Sequence, residues 1–71
     1  MWKLIIHTIP PEKRQALLEY LNAAQNKDPT FHYKAEDKYI IVECPSKNIA
    51  HRRGTLLHYK FGVYYEVEYQ K

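Results

Sequence analysis

The spacing of apolar positions along this chain switches repeatedly between the two-residue period of a strand and the 3.6-residue period of a helix. Residues 2–7 (Trp-Lys-Leu-Ile-Ile-His) alternate and predict a strand. In residues 11–25, Leu17, Leu21 and Ala24 recur at helical spacing, with Leu18 widening the stripe and Lys13, Arg14, Gln15 and Glu19 on the wet side. Residues 30–35 and 38–44 alternate again and predict a hairpin around the two-residue turn Glu36-Asp37. Residues 46–60 return to the helical period, and residues 63–69 predict a last strand.

The flanking residues supply start and stop signals. Pro11 suits the first helical turn, where its missing N–H is not needed, and Glu12 favours the positive end of the helix dipole. Pro29 ends that helix, because a residue before proline resists helical backbone angles. Ser46 suits the N-cap of the second helix and Gly62 the position just past its end. The order βαββαβ in 71 residues predicts one α+β domain spanning residues 1–71. It resembles the ferredoxin-like arrangement, a four-stranded antiparallel sheet in order 4-1-3-2 with two helices on one face.

Directly opposed residues of a hairpin share a face. A Glu36-Asp37 turn pairs Ala35 with Lys38, Tyr33 with Ile40 and Phe31 with Val42. Phe31, Tyr33, Ile40, Val42 and Cys44 then point under the helices, and His32, Lys34, Tyr39, Ile41 and Glu43 point away. Trp2, Leu4 and Ile6 point inward on the first strand, with Lys3, Ile5 and His7 outward. On the last strand Val63, Tyr65, Val67 and Tyr69 point inward, and Tyr64, Glu66 and Glu68 outward.

The second helix has a less regular pattern. On a helical wheel Ile49, Ala50, Leu56 and Leu57 cluster, yet Arg53 falls in their midst and Gly54 follows it. Two readings fit: one continuous helix in which Arg53 buries its stem and extends its head to water, or a helix ending at Gly54 with Thr55–Phe61 as an extra strand.

Length and charge narrow the class. A chain this short buries only about 60 % of its unfolded surface, so a partner subunit is an expected source of added stability. The single cysteine, Cys44, excludes an internal disulfide and suits a reducing cytosol. No stretch reaches the roughly 18–20 apolar residues of a membrane span. The apolar start has neither the flanking charge nor the cleavage site of a signal peptide, and the expected location is cytoplasmic. The net charge is +3. Between Glu43 and Glu66 there is no acidic residue, while Lys47, Arg52, Arg53 and Lys60 all fall there, so the positive excess belongs to the second helix and its flanks.

Catalytic and metal-binding patterns are missing from the sequence. His51 and His58 are about 10.5 Å apart along a helix axis, and His7 and His32 fall on non-adjacent strands, too far apart to share an ion. Cys44, inward and followed by Pro45, reads as inert packing. Glu43, Glu66 and Glu68 on the open sheet face read as a solvated surface. Other proteins of this topology carry signatures in the loop after the first strand: a glycine-rich loop with arginine in acylphosphatases, CxxC in heavy-metal chaperones, glycine in ACT domains. Here that loop is Thr8-Ile9-Pro10-Pro11 and has none of them. RRM domains stack bases on sheet aromatics; this chain has no such sequence, and its three glutamates would repel a phosphate backbone there.

Two surfaces remain as candidates. The outer face of the second helix combines Lys47, Asn48, His51 and His58 with Gly54 and Thr55, and has Arg52 at its edge. A basic face without acidic neighbours is the footprint of a nucleic-acid or other polyanion binder. Lys47 opposes the helix dipole, and an anion held by Ser46, Asn48 and free N–H groups would relieve that. The open sheet face offers an apolar strip of Ile5, Tyr39, Ile41 and Tyr64, suited to a homodimer interface. The sequence therefore leads to a small, non-enzymatic, dimeric binding module for nucleic acid or another polyanion, with no cofactor and no metal. The competing class is a protein–protein adaptor or inhibitor that uses the sheet face or an edge strand. A third is a small enzyme of the dimeric α/β type, with its active site between subunits.

Overall fold

The computed structural model describes residues 1–70. It contains β1 (Trp2–His7), α1 (Pro11–Lys27), β2 (Tyr33–Ala35), β3 (Ile40–Cys44), α2 (Lys47–Phe61) and β4 (Tyr64–Tyr69). The strands form one antiparallel sheet in the order β2-β3-β1-β4, which is the predicted order read from the opposite edge. The inward residues Leu4, Ile6, Ile40, Val42 and Cys44 join Leu17 and Leu21 of α1 and Ala50, Leu57 and Phe61 of α2 in one buried cluster. Both helices thus cover the same side of the sheet, in an α+β arrangement of the ferredoxin-like type.

The helix ends follow their local chemistry. Pro11 opens α1, and Lys13 N–H donates to the Pro10 carbonyl at 2.9 Å. The helix runs two residues past its predicted end at Gln25, to Lys27, and Asp28 N–H still reaches the Ala24 carbonyl at 3.0 Å before Pro29 stops it. Ser46 Oγ caps α2 by accepting from Ile49 N–H at 3.2 Å. Gly62 closes it in the left-handed region, φ 71°, donating to the His58 carbonyl. Thr55–Phe61 is helical throughout, so the continuous-helix reading holds and the extra strand does not form.

The hairpin differs from its predicted pairing. Tyr33 faces Val42, Lys34 faces Ile41 and Ala35 faces Ile40, a register two residues away from the expected one. Glu36 N–H donates to the Tyr39 carbonyl at 2.8 Å, so the two-residue turn is Asp37-Lys38 instead of Glu36-Asp37. A tertiary contact accompanies this register. Arg14 was expected on the wet side of α1; it is half-buried and donates to the carbonyls of Glu36 (2.9 Å) and Asp37 (3.4 Å). A one-residue slip would have exchanged the faces, but a slip of two keeps them. Phe31, Ile40 and Val42 therefore remain buried. Tyr33, expected in the core, is only half-buried because β2 is a short edge strand. Tyr69, also expected inward, is 62 % exposed at the end of the edge strand β4, against the ring of Trp2.

The second correction concerns the rotation of α2. Its buried residues are Ala50, Gly54, Leu57 and Phe61, a stripe at i, i+4, i+7 and i+11. Gly54, expected on the outer face, points at the sheet, and a Cβ built there would lie 2.5 Å from the Tyr65 ring. Leu56, expected in the apolar cluster, is 50 % exposed. Arg53 sits half-buried at the stripe's edge, its guanidinium 5.0 Å from the centroid of Phe31. A wheel weighted by hydrophobicity gives glycine no pull toward the core; close packing selects the residue with no side chain for the tightest approach.

Gly54→Ala should therefore lower stability by about 1–3 kcal/mol, the usual range for overpacking, although alanine is the better helix former. Urea unfolding followed by circular dichroism measures this. A stability equal to or above wild type would show that Tyr65 moves aside freely and does not set the helix position.

Candidate functional site

With Gly54 against the sheet, the side of α2 farthest from the core carries Asn48, Arg52, Leu56 and Tyr59, all exposed. Tyr59 is the most open of the large apolar side chains at 82 %. Lys47 and Lys60 are exposed at the two ends, and no residue of α2 is acidic. Arg52 and Tyr59, seven residues apart, stand on the same side two turns from each other.

The structure divides the predicted patch. Asn48 and Arg52 lie on the outermost side. His51 and His58 turn toward β4, together with Thr55. The His51 ring meets Tyr65 edge-on at 5.9 Å, and its Nδ1 lies 3.5 Å from the Tyr65 hydroxyl, which also meets Thr55 Oγ1 at 3.1 Å. His58 packs beside Tyr59 and Tyr64, each with its centroid 5.4 Å away. Its Nδ1 is 2.8 Å from the Val63 carbonyl. A carbonyl only accepts, so this contact requires the ring proton on Nδ1. Lys47 Nζ lies 5.9 Å from the centroid of Trp2. Lys60 turns the other way, 5.5 Å from Tyr20. Sequence reasoning missed Tyr59 and Leu56 as surface residues; a wheel centred on Gly54 instead of the leucines would have brought both to light.

The open sheet face is ordered by register. Ile5 faces Ile41 on one side and Glu66 on the other, and Lys34 lies beyond Ile41. In the next row Lys3 lies between Glu43 and Glu68. Ile5 and Ile41 are half-buried, while Tyr64, opposite His7, is 55 % exposed. Tyr39 was expected within the third strand. It falls between the Asp37-Lys38 turn and the start of β3 and is 41 % exposed. The four predicted interface residues thus form a central isoleucine pair with one tyrosine on each flanking segment, inside a charged border.

Cys44 is buried and free, and burial pushes its thiol up by disfavouring the thiolate; the Arg53 guanidinium, 3.6 Å from Sγ, opposes this more weakly. Asp28 is held below the ordinary carboxylate range, first by the Thr30 hydroxyl (2.6 Å) and then by Thr30 N–H (3.0 Å). Among the described residues no three His, Cys, Asp or Glu side chains converge as metal ligands, and no helix is long and apolar enough to cross a membrane. Compared with family models, curated proteins and solved structures, the chain matches none.

The state of Cys44 is open to a direct check. A buried thiol with a raised pKa should react slowly with iodoacetamide at pH 8 in the native protein and at the rate of a free thiol in urea. Equal rates would show an accessible, reactive cysteine. The same shift has a sign for stability. A thiol pKa raised in the folded state leaves stability intact below the ordinary thiol pKa and lowers it as pH rises from that value through the raised one.

Proposed function

We propose that this chain is a small, non-enzymatic binding module that holds nucleic acid, or a polyanion of similar charge density, on the exposed side of α2, and that it acts as a homodimer. The carrying observation is the make-up of that side: Asn48 and Arg52 share it with the exposed Tyr59, and Lys47 adds an exposed cation at the first turn, on a helix without a single acidic residue. Cationic side chains bind phosphates without regard to sequence. An exposed aromatic ring next to them adds a platform on which an unpaired base stacks, which favours single strands over duplex. The three glutamates of the sheet, all exposed on the opposite side of the molecule, favour an approach to a polyanion with α2 leading. The reading places the chain in the cytoplasm, where nucleic acid is abundant.

The homodimer rests on the sheet face. Ile5 and Ile41 form an apolar centre with Lys34 and Glu66 on either side of it, a layout in which opposite charges meet across a two-fold axis. The same face supports the competing reading, a protein–protein adaptor with the basic helix incidental, and binding assays separate the two.

Fluorescence anisotropy with labelled single-stranded RNA and DNA at two salt concentrations tests the first claim. Lys47→Glu with Arg52→Glu should weaken binding by tenfold or more and reduce the salt slope by about 1.4, roughly 0.7 for each lost single-strand phosphate contact. Tyr59→Ala should cost about 1–3 kcal/mol of affinity for a single strand and little for duplex. Absence of binding at low salt would overturn the nucleic-acid reading in favour of the adaptor. For the dimer, Ile41→Glu should give a monomer in sedimentation experiments and lower the melting temperature. A wild type that stays monomeric at high micromolar concentration overturns the dimer.

A further inference from the structure

The two helices leave a cleft between them above the sheet, with a volume of about 260 Å³. Leu4 and Val42 of the sheet line it, with Leu21 of α1, Leu57 of α2 and Phe31. Most of the lining surface is apolar, but Arg53 enters it, with Lys27 and Asp28 at the α1 end. Arg53 is the residue whose position in the apolar pattern of the second helix had no functional explanation.

The guanidinium of Arg53 is poorly matched by the protein itself. It lies over the Phe31 ring at 5.0 Å, and its one hydrogen bond among the described residues goes to Cys44 Sγ at 3.6 Å. Sulfur is a weak acceptor, and a guanidinium has five N–H donors. Among the described residues the one ion pair within 4.0 Å is Lys34–Glu36; the Asp28 carboxylate feels the charge of Arg53, which helps to lower its pKa, but makes no direct ion pair with it. Lys27 shares the lining, and so does Asp28, whose carboxylate already accepts both Thr30 donors. The lining therefore carries two cations against one anion.

We propose that this cleft binds a small carboxylate with an aromatic or short-chain apolar body, its carboxylate on the Arg53 guanidinium. The planar fork of arginine matches a carboxylate in two parallel hydrogen bonds. One surplus positive charge suits a monoanion better than a phosphate dianion. Size agrees as well: an apolar cavity of about 150 Å³ holds benzene, so about 260 Å³ admits a phenyl ring with a short chain. The cleft lies on the α1 side of α2, away from Arg52 and Tyr59, and does not depend on nucleic-acid binding.

Nuclear magnetic resonance titration of the ¹⁵N-labelled full chain with 4-phenylbutyrate tests the proposal, with 4-phenylbutan-1-ol as the uncharged counterpart. Saturable shifts are expected at the amides of Leu21, Ala24 and Leu57. The alcohol should bind about tenfold more weakly, as expected for loss of a charge-assisted hydrogen bond. Arg53→Met, which keeps an apolar stem, should lose a similar factor. Ala24→Phe, which fills the cleft from α1, should abolish the shifts while circular dichroism shows the fold retained. The comparison of acid with alcohol uses the wild type and so stands if a variant fails to fold. No saturable shift, equal affinity for acid and alcohol, or undiminished binding by folded Arg53→Met or Ala24→Phe would overturn the proposal.

Discussion

The contact between Gly54 and the Tyr65 ring governs how this molecule presents itself. With no Cβ at position 54, α2 lies directly on β4, and any side chain there would meet the ring at 2.5 Å. That contact sets the rotation of the helix about its axis. Once Gly54 faces the sheet, Ala50, Leu57 and Phe61 follow it inward, Arg52 and Tyr59 turn to solvent, and Arg53 falls on the side of α1. The candidate polyanion surface and the cleft between the helices are both consequences of one rotation.

This rotation also explains why the histidines do not act together. His51 and His58 share the flank next to β4, yet each is engaged locally, one with the Tyr65 hydroxyl and the other with the Val63 carbonyl. The aromatic side chains of β4 thus organise the flank, while the outermost side of the helix keeps its polar and cationic groups free. Separation of charge between the two layers follows from the same geometry. The basic helix lies on one side of the sheet and the exposed glutamates on the other, so a charged partner meets different fields on the two faces.

Hairpin register shows how robust a period-two pattern is. The pairing of β2 with β3 differs by two residues from the one the turn residues suggest. Even so, Ile40, Val42 and Cys44 all stay in the core. Alternation specifies the face of a strand, and any even slip satisfies it equally. The choice among even registers falls to the turn. Here Arg14, more than twenty residues away in sequence, takes up the carbonyls of Glu36 and Asp37. No feature local to the hairpin encodes that contact.

The sequence by itself determined the order of elements, the inward faces of the strands and the caps at Ser46 and Gly62, because period, capping and turn chemistry are local properties of a few neighbouring residues. It also determined that the second helix is the basic one, since charge is a matter of composition. Only the tertiary structure decided which side of that helix faces water, because that depends on where a ring from β4 meets a glycine. For the same reason Tyr59 and Leu56 went unread as surface residues and Arg53 as part of a cleft. A hydrophobic pattern records how strongly each side chain avoids water. It does not record where two backbones approach most closely, and in α2 that approach was the stronger constraint.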